Sequence, residues 1–214
     1  MNIKVCGITS ANQFIQLDKL GVDYAGLVFD EQSHQCIIDL IQPEELNQLD
    51  LDIKKVGVFS NSTIDEVMRR IEEFELDVVQ FTGNETPDFC SVISDQIELI
   101  KTFYLNHFNL DTINILLSEF DEVCDYYSFD SLQIKQDSPM STSFDWKMIG
   151  NAIIEKPFFI GGGAVKPSDA PIIHSLKHPD FFGVDINHNF EKEPGLKDIA
   201  LVLSFIRAVN QIDN

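Results

Sequence analysis

The chain has 214 residues, 44% hydrophobic and 23% charged, an ordinary composition for a globular protein and enough length to bury a core without disulfide or metal staples. No apolar run approaches the roughly 18 residues of a spanning helix, and the first ten residues lack a basic stretch followed by an apolar one, so a cytoplasmic protein without a signal peptide is expected. Fifteen Lys and Arg against 35 Asp and Glu give a formal charge of −20; this speaks against nucleic acid and membrane as partners, since phosphate binding needs clustered cations, and any anionic substrate needs a locally reversed field.

Short β-rich runs alternate with longer amphipathic ones along the whole chain. Residues 3–8 read as a strand and 10–20 as a helix, 24–29 and 43–49 as the next pair, and 54–59 and 63–75 as the third. The fourth pair is 77–81 and 87–94, the fifth 98–105 and 110–120, and the sixth 125–130 and 145–153. The seventh is 157–162 and 167–176, and the eighth 181–187 and 196–211. Asn61-Ser62-Thr63 offers side-chain oxygens ahead of the third helix, and Thr86-Pro87-Asp88 places Pro at a first helical position behind a capping Thr.

Strands alternating with helices imply parallel strands and crossover connections, and their apolar character implies a sheet covered on both faces. Eight such units in a chain of this length predict an α/β fold, a single-domain (β/α)8 TIM barrel over residues 1–214. An open doubly wound sheet is the competitor. It would have fewer strands and a Gly-rich first turn, where this chain has Cys6-Gly7-Ile8-Thr9-Ser10.

In such a barrel the active site lies at the C-terminal ends of the strands. Cys6 sits at the first of these ends, and Lys4 shares its parity, so both point into the barrel. Cys6 reads either as a thiolate base activated by a nearby ammonium or helix N-terminus or as a small buried core residue. Asp130 ends the sixth strand and reads as a catalytic carboxylate or a loop anchor. Gly161-Gly162-Gly163 follows the seventh strand, where backbone N–H groups hold a phosphate in many barrels, although a tight turn also needs glycine. Gln35, Gln80, Gly162, Gly163, Asp185, Asn187 and His188 are the candidate substrate-binding residues. The five histidines show no metal-ligand spacing, so a metal site is not expected. Cys6, Cys36, Cys90 and Cys124 form no CxxC pair, so free thiols in a reducing compartment are expected.

Several short motifs stand in one order: Lys4-Val5-Cys6-Gly7-Ile8-Thr9, Gly26-Leu27-Val28-Phe29, Lys55-Val56-Gly57-Val58-Phe59, and Asp77-Val78-Val79-Gln80 with Gly83 and Glu85. They continue with Ile100-Lys101-Thr102-Phe103, Phe129-Asp130-Ser131, Phe144-Asp145-Trp146, Gly162-Gly163 with Pro167, Gly183-Val184-Asp185, and Pro194-Gly195-Leu196-Lys197-Asp198. Together they resemble the phosphoribosylanthranilate isomerases of tryptophan biosynthesis. The resemblance implies a small phosphorylated substrate and an Amadori rearrangement of an aminoaldose to an aminoketose phosphate. It places the general base on Cys6 and the general acid on Asp130, and implies no metal or organic cofactor. Near neutral pH such a pair asks for a raised carboxyl pKa and a lowered thiol pKa.

The chain departs from the family in its loops. Where the family has Ser-Pro-Arg in the second loop, this chain has Ser33-His34-Gln35. Thr82 replaces a histidine in the fourth, Ser138-Pro139-Met140-Ser141 replaces Gly-Gly-Thr-Gly in the sixth, and Asn187-His188-Asn189 replaces Ser-Ser-Gly in the eighth. The only arginines, Arg69, Arg70 and Arg207, fall on predicted helices. Anion binding is therefore left to Lys101, Lys135, Lys166 or Lys192, to His34 or His188, and to backbone N–H groups. Two alternatives follow: a barrel without this activity that binds another small ligand or a protein, and an isomerase for a sugar phosphate lacking the anthranilate carboxylate.

Overall fold

The computed structural model describes residues 1–105, 110–130, 149–150 and 152–210. Eight strands form the centre: β1 (Asn2–Cys6), β2 (Tyr24–Val28), β3 (Lys54–Phe59), β4 (Val78–Phe81), β5 (Glu98–Tyr104), β6 (Tyr126–Asp130), β7 (Phe158–Ile160) and β8 (Phe181–Ile186). They pair in sequence order, all parallel, and β8 returns to β1 with Lys4 opposite Asp185, closing the barrel. The helices bounded within the described residues are α1 (Ala11–Asp18), α2 (Pro43–Asn47), α3 (Ile64–Phe74), α4 (Pro87–Ser94), α5 (Leu110–Ser118), α6 (Ala170–Ser175) and α7 (Ile199–Asn210). This is the (β/α)8 barrel expected from the alternation, and its closure removes the open sheet as an alternative. The helix expected over 145–153 lies largely outside the described residues; Ile149 and Gly150 are helical. Among the described residues no helix is long and apolar enough to cross a membrane.

The strands carry two packing faces. Outward residues such as Phe29, Phe59 and Phe81 join Phe14, Leu17 and Phe74 of the helices in one core. Inward residues, among them Tyr24, Val56, Val58, Val78, Ile100 and Phe159, fill the barrel. Both faces being buried explains why β2 and β4 are buried along their whole length and read as apolar runs. Ser10, Thr63 and Thr86 cap α1, α3 and α4 by accepting from the backbone N–H of Gln13, Glu66 and Phe89, each cap contributing about 1 kcal/mol.

Two expected elements are corrected. The eighth helix does not begin at residue 196. A hairpin of β9 (Glu191–Glu193) and β10 (Leu196–Lys197) precedes α7, because Gly195 turns the chain at φ +79 and the Lys197 N–H is taken by Gln13 Oε1 at 3.0 Å. The seventh helix does not run unbroken from Pro167. A 3₁₀ turn over Pro167–Asp169 leads into α6, which has Pro171 in its first turn, where the missing N–H costs nothing.

Candidate active site

The alternation of β1 sends Ile3 and Val5 into the outer core and leaves Lys4 and Cys6 inside the barrel, where Lys4 Nζ donates to Asp185 Oδ2 at 2.7 Å. Above them, at the C-terminal mouth, lies a cavity of about 230 Å³. Of the sequence candidates, Cys6, Gln35, Gln80, Asp130, Gly162, Asp185 and Asn187 line it. Gly163 and His188 do not. The Gly163 carbonyl accepts from Asn189 Nδ2 at 3.4 Å, and His188 sits in the 3₁₀ turn after β8, beside Glu191, Lys197 and His34. Burial, with the Lys197 ammonium and His34 and against Glu191, holds His188 below its ordinary 6.5, so it is a poor resident cation near neutral pH.

Asp130 is seated by Gly162. The glycine has φ +59, and a Cβ there would collide with the Asp130 carboxyl. The triplet thus serves as a tight turn and as a seat for a carboxylate. Gln35 is seated in the same manner against Gly7, at φ +75. Its amide donates to Asn187 Oδ1 at 2.7 Å and to Glu191 Oε1 at 2.6 Å. Lys197 Nζ, fully buried, donates to the same two oxygens at 2.8 and 2.6 Å. The position at which the resemblance expects an arginine is therefore a locked amide.

Cys6 departs from the sequence expectation. Burial pushes its thiol above the ordinary value; Lys4 pulls it down, Asp185 pushes it further up, and Lys197 pulls it down. Burial likewise works against the Lys4 ammonium, but Asp185 and Cys6 outweigh it and hold Lys4 charged. Burial raises the Asp185 carboxyl, against the pull of Lys4 and Lys197. Gln80 Nε2 donates to Thr102 Oγ1 at 2.9 Å. Gln80 Oε1 and Asp185 Oδ1 are buried without a hydrogen-bond partner among the described residues. Two such acceptors in one cavity wall suit a ligand rich in hydroxyl groups.

Sequence reasoning missed Tyr104, Thr102 and Lys197. Tyr104 and Thr102 line the cavity and share a face of β5, which the alternation was enough to reveal. Burial, then Asp130, Cys6 and Glu85, push Tyr104 up to about 12 against a hydrogen bond with Thr82, so it stays a protonated donor. The same alternation turns Lys101 outward, correcting its place among the anion-binding candidates. Lys101 pairs with Glu85 at 2.8 Å and donates to the Gly83 carbonyl at 2.8 Å, both side chains being buried. Lys192 is exposed and lies 3.9 Å from Asp198, and Lys135 lies outside the described residues. Arg69 and Arg70 pair with Glu66 and Glu73 on α3, and Arg207 stands in the last turn of α7.

The model of the N-(5'phosphoribosyl)anthranilate (PRA) isomerase family matches residues 3–208. The N-(5'-phosphoribosyl)anthranilate isomerase of Parabacteroides distasonis is 32% identical over 98% of this chain and 93% of its own length. The solved phosphoribosyl anthranilate isomerase of Thermotoga maritima superposes with a TM-score of 0.81 at 24% identity, covering 99% of this chain and 100% of that one. A phosphoribosyl anthranilate isomerase in complex with reduced 1-(o-carboxyphenylamino)-1-deoxyribulose 5-phosphate superposes at 0.79, with 24% identity and the same coverage. At these identities the solved structures speak for the fold, and the sequence matches speak for the family. By the match over nearly its whole length, the chain belongs to the N-(5'-phosphoribosyl)anthranilate isomerase family.

Proposed function

We propose that this protein isomerises N-(5'-phosphoribosyl)anthranilate to the aminoketose 1-(o-carboxyphenylamino)-1-deoxyribulose 5-phosphate in the cytoplasm, the whole chain serving as one domain. The observation that carries the reading is that Cys6 and Asp130, from strands far apart in sequence, line one cavity at the barrel mouth.

In this reading Asp130, protonated in the reacting complex, gives its proton to the ring oxygen. The ring opens to a Schiff base conjugated with the aryl amine. The Cys6 thiolate then removes the proton at C2, and the electron pair moves into the imine to give an enolamine. Return of a proton to C1, with loss of the C2 hydroxyl proton to restore the acid, yields the ketone, so the step is an isomerisation with no atom gained or lost. Gln80 Oε1 and Asp185 Oδ1 are placed to accept from sugar hydroxyls. The N–H groups of Gly162 and Gly163, opening the 3₁₀ turn after β7, are suited to the phosphate.

The test is turnover of freshly generated substrate, followed by loss of its fluorescence, in the wild type, Cys6→Ala and Asp130→Asn. Positioned acid–base groups contribute roughly 10²–10⁴-fold each, and losses of that size are expected from proteins whose thermal unfolding shows them folded. A folded wild type without turnover overturns the reading and favours a barrel that binds another ligand. Unchanged turnover in Cys6→Ala overturns the base assignment.

A further inference from the structure

Inside the barrel one charged pair stands among apolar side chains. Lys4 is fully buried, and its ion pair with Asp185 spans 2.7 Å with 1% and 5% of the two side chains exposed. Tyr24, Val56, Val58, Val78, Ile100 and Phe159 fill the same barrel interior, and Asp185 reaches the wall of the mouth cavity. Taking two charges out of water is costly, and an apolar pair of the same volume often stabilises a protein as well or better. Stability therefore does not explain why an ammonium is kept here.

We infer that Lys4, anchored by Asp185, is the positioning residue that sets the charge state of Cys6. The inference rests on Cys6 being the base and adds what makes it one. Lys4 and Cys6 are two residues apart on the inward face of β1, so the two side chains are neighbours along the strand. An ammonium has three donors; Asp185 takes one, and the others are left for the inward neighbours of Lys4, Cys6 among them. The anchor is fixed by the barrel itself, because Lys4 and Asp185 are register partners across the β1–β8 seam.

Other titratable groups face the sulfur. Asp185 of β8 opposes the thiolate, Lys197 of β10 favours it, Tyr104 of β5 stands across the cavity, and Asp130 of β6 and Asp30 line the same cavity. Lys197 is committed to Glu191 and Asn187 at 2.6 and 2.8 Å. Lys4 thus gives Cys6 the stronger cationic support. Neutralising Lys4 leaves the sulfur with burial and a carboxylate, both of which keep its proton on, opposed only by the weaker pull of Lys197.

The experiment is the pH dependence of Cys6 alkylation by iodoacetamide, read on the Cys6 peptide by mass spectrometry. Wild type is compared with Lys4→Gln, Lys4→Arg and the apolar double variant Lys4→Met/Asp185→Leu, which guards against misfolding from an unpaired buried carboxylate. In Lys4→Gln the alkylation rate at a fixed pH below the midpoint falls about tenfold or more, the equivalent of one pKa unit. It falls less in the double variant, and Lys4→Arg stays close to wild type. In Lys4→Gln, kcat falls in step with alkylation and recovers at alkaline pH while KM holds, a pattern that loss of fold does not produce. Superimposable alkylation profiles in wild type and either folded neutral variant overturn the inference. The alkylation readout needs no turnover, so a wild type without isomerase activity sinks the proposed function and still leaves Lys4 to be decided.

Discussion

At the floor of the barrel, Tyr126 and Phe159 each pack on Phe182, with ring centroids 5.0 and 5.1 Å apart, and Tyr24 meets Phe159 edge-on at 5.6 Å. At the mouth, β1, β4, β5, β6 and β8 present Cys6, Gln80, Thr102, Ser128, Asp130 and Asp185. Both ends are inward-facing positions of the barrel, and β6 and β8 pass from the rings of Tyr126 and Phe182 to the carboxylates of Asp130 and Asp185. The floor holds the strands together, and its rings are interchangeable with others of similar volume. The mouth contributes buried carboxylates and unpartnered acceptors that a stable core avoids, and it tolerates them because the floor carries the packing. Stability and chemistry are thus separated along the barrel axis.

Substitutions can break that separation. The largest effect on stability is expected from Phe159→Ala at the floor, about 3–5 kcal/mol as for other buried aromatics, measured by urea unfolding. Turnover per folded molecule should hold; a matching loss of kcat would mean that floor and mouth are coupled. Gly162→Ala strikes the mouth instead. Its φ of +59 and the collision with Asp130 should shift the carboxyl and cut kcat roughly tenfold to a hundredfold, in keeping with a misplacement of about 1 Å, with a smaller loss of stability.

The pH profile sharpens the same contrast. Burial holds Cys6 above its ordinary 9.0, so the thiol form dominates below that value and only the rarer thiolate can take a proton. The rate of Cys6 alkylation, which needs the thiolate alone, should therefore rise with pH, by about tenfold per unit, through the neutral range toward the thiol's own pKa. A profile flat from neutral pH upward would contradict the burial argument. The smallest effect is expected from Tyr104→Phe, which removes one hydroxyl beside Asp130 and Thr82. A loss of several-fold in kcat with unchanged unfolding is expected, in the range of one hydrogen bond.

The barrel was legible because each strand needs two apolar faces and each helix one. The expected bounds 54–59 and 87–94 are those of β3 and α4. Period-two alternation also placed Lys4 beside Cys6, and it would have turned Lys101 outward had it been applied to β5. Other features were hidden because they depend on partners distant in the chain. Lys197 looked like the start of a helix. Only the turn at Gly195 and its bonds to Glu191 and Asn187 make it a buried cation of the mouth. The raised thiol of Cys6 was equally hidden, since the sequence names the nearby charges but not how deeply the sulfur lies. The substitution Ser138-Pro139-Met140-Ser141 lies outside the described residues.

The hairpin of β9 and β10 has a consequence for how the molecule is made. The Gly195 carbonyl accepts from Thr9 Oγ1 and from Gln13 Nε2 at 2.5 and 3.1 Å, and the Lys197 backbone N–H donates to Gln13 Oε1. The side chains of Thr9 and Gln13 thus find these partners only after residues 195–197 have left the ribosome. Until then the first βα unit waits with buried-to-be amides still in water, and the sulfur of Cys6 has neither its anchored ammonium nor its neighbour Lys197. Loop closure over so long a span is slow, so the catalytic end is completed in the last stage of folding, and nascent chains stopped short of residue 197 should be inert however much of the barrel they have built.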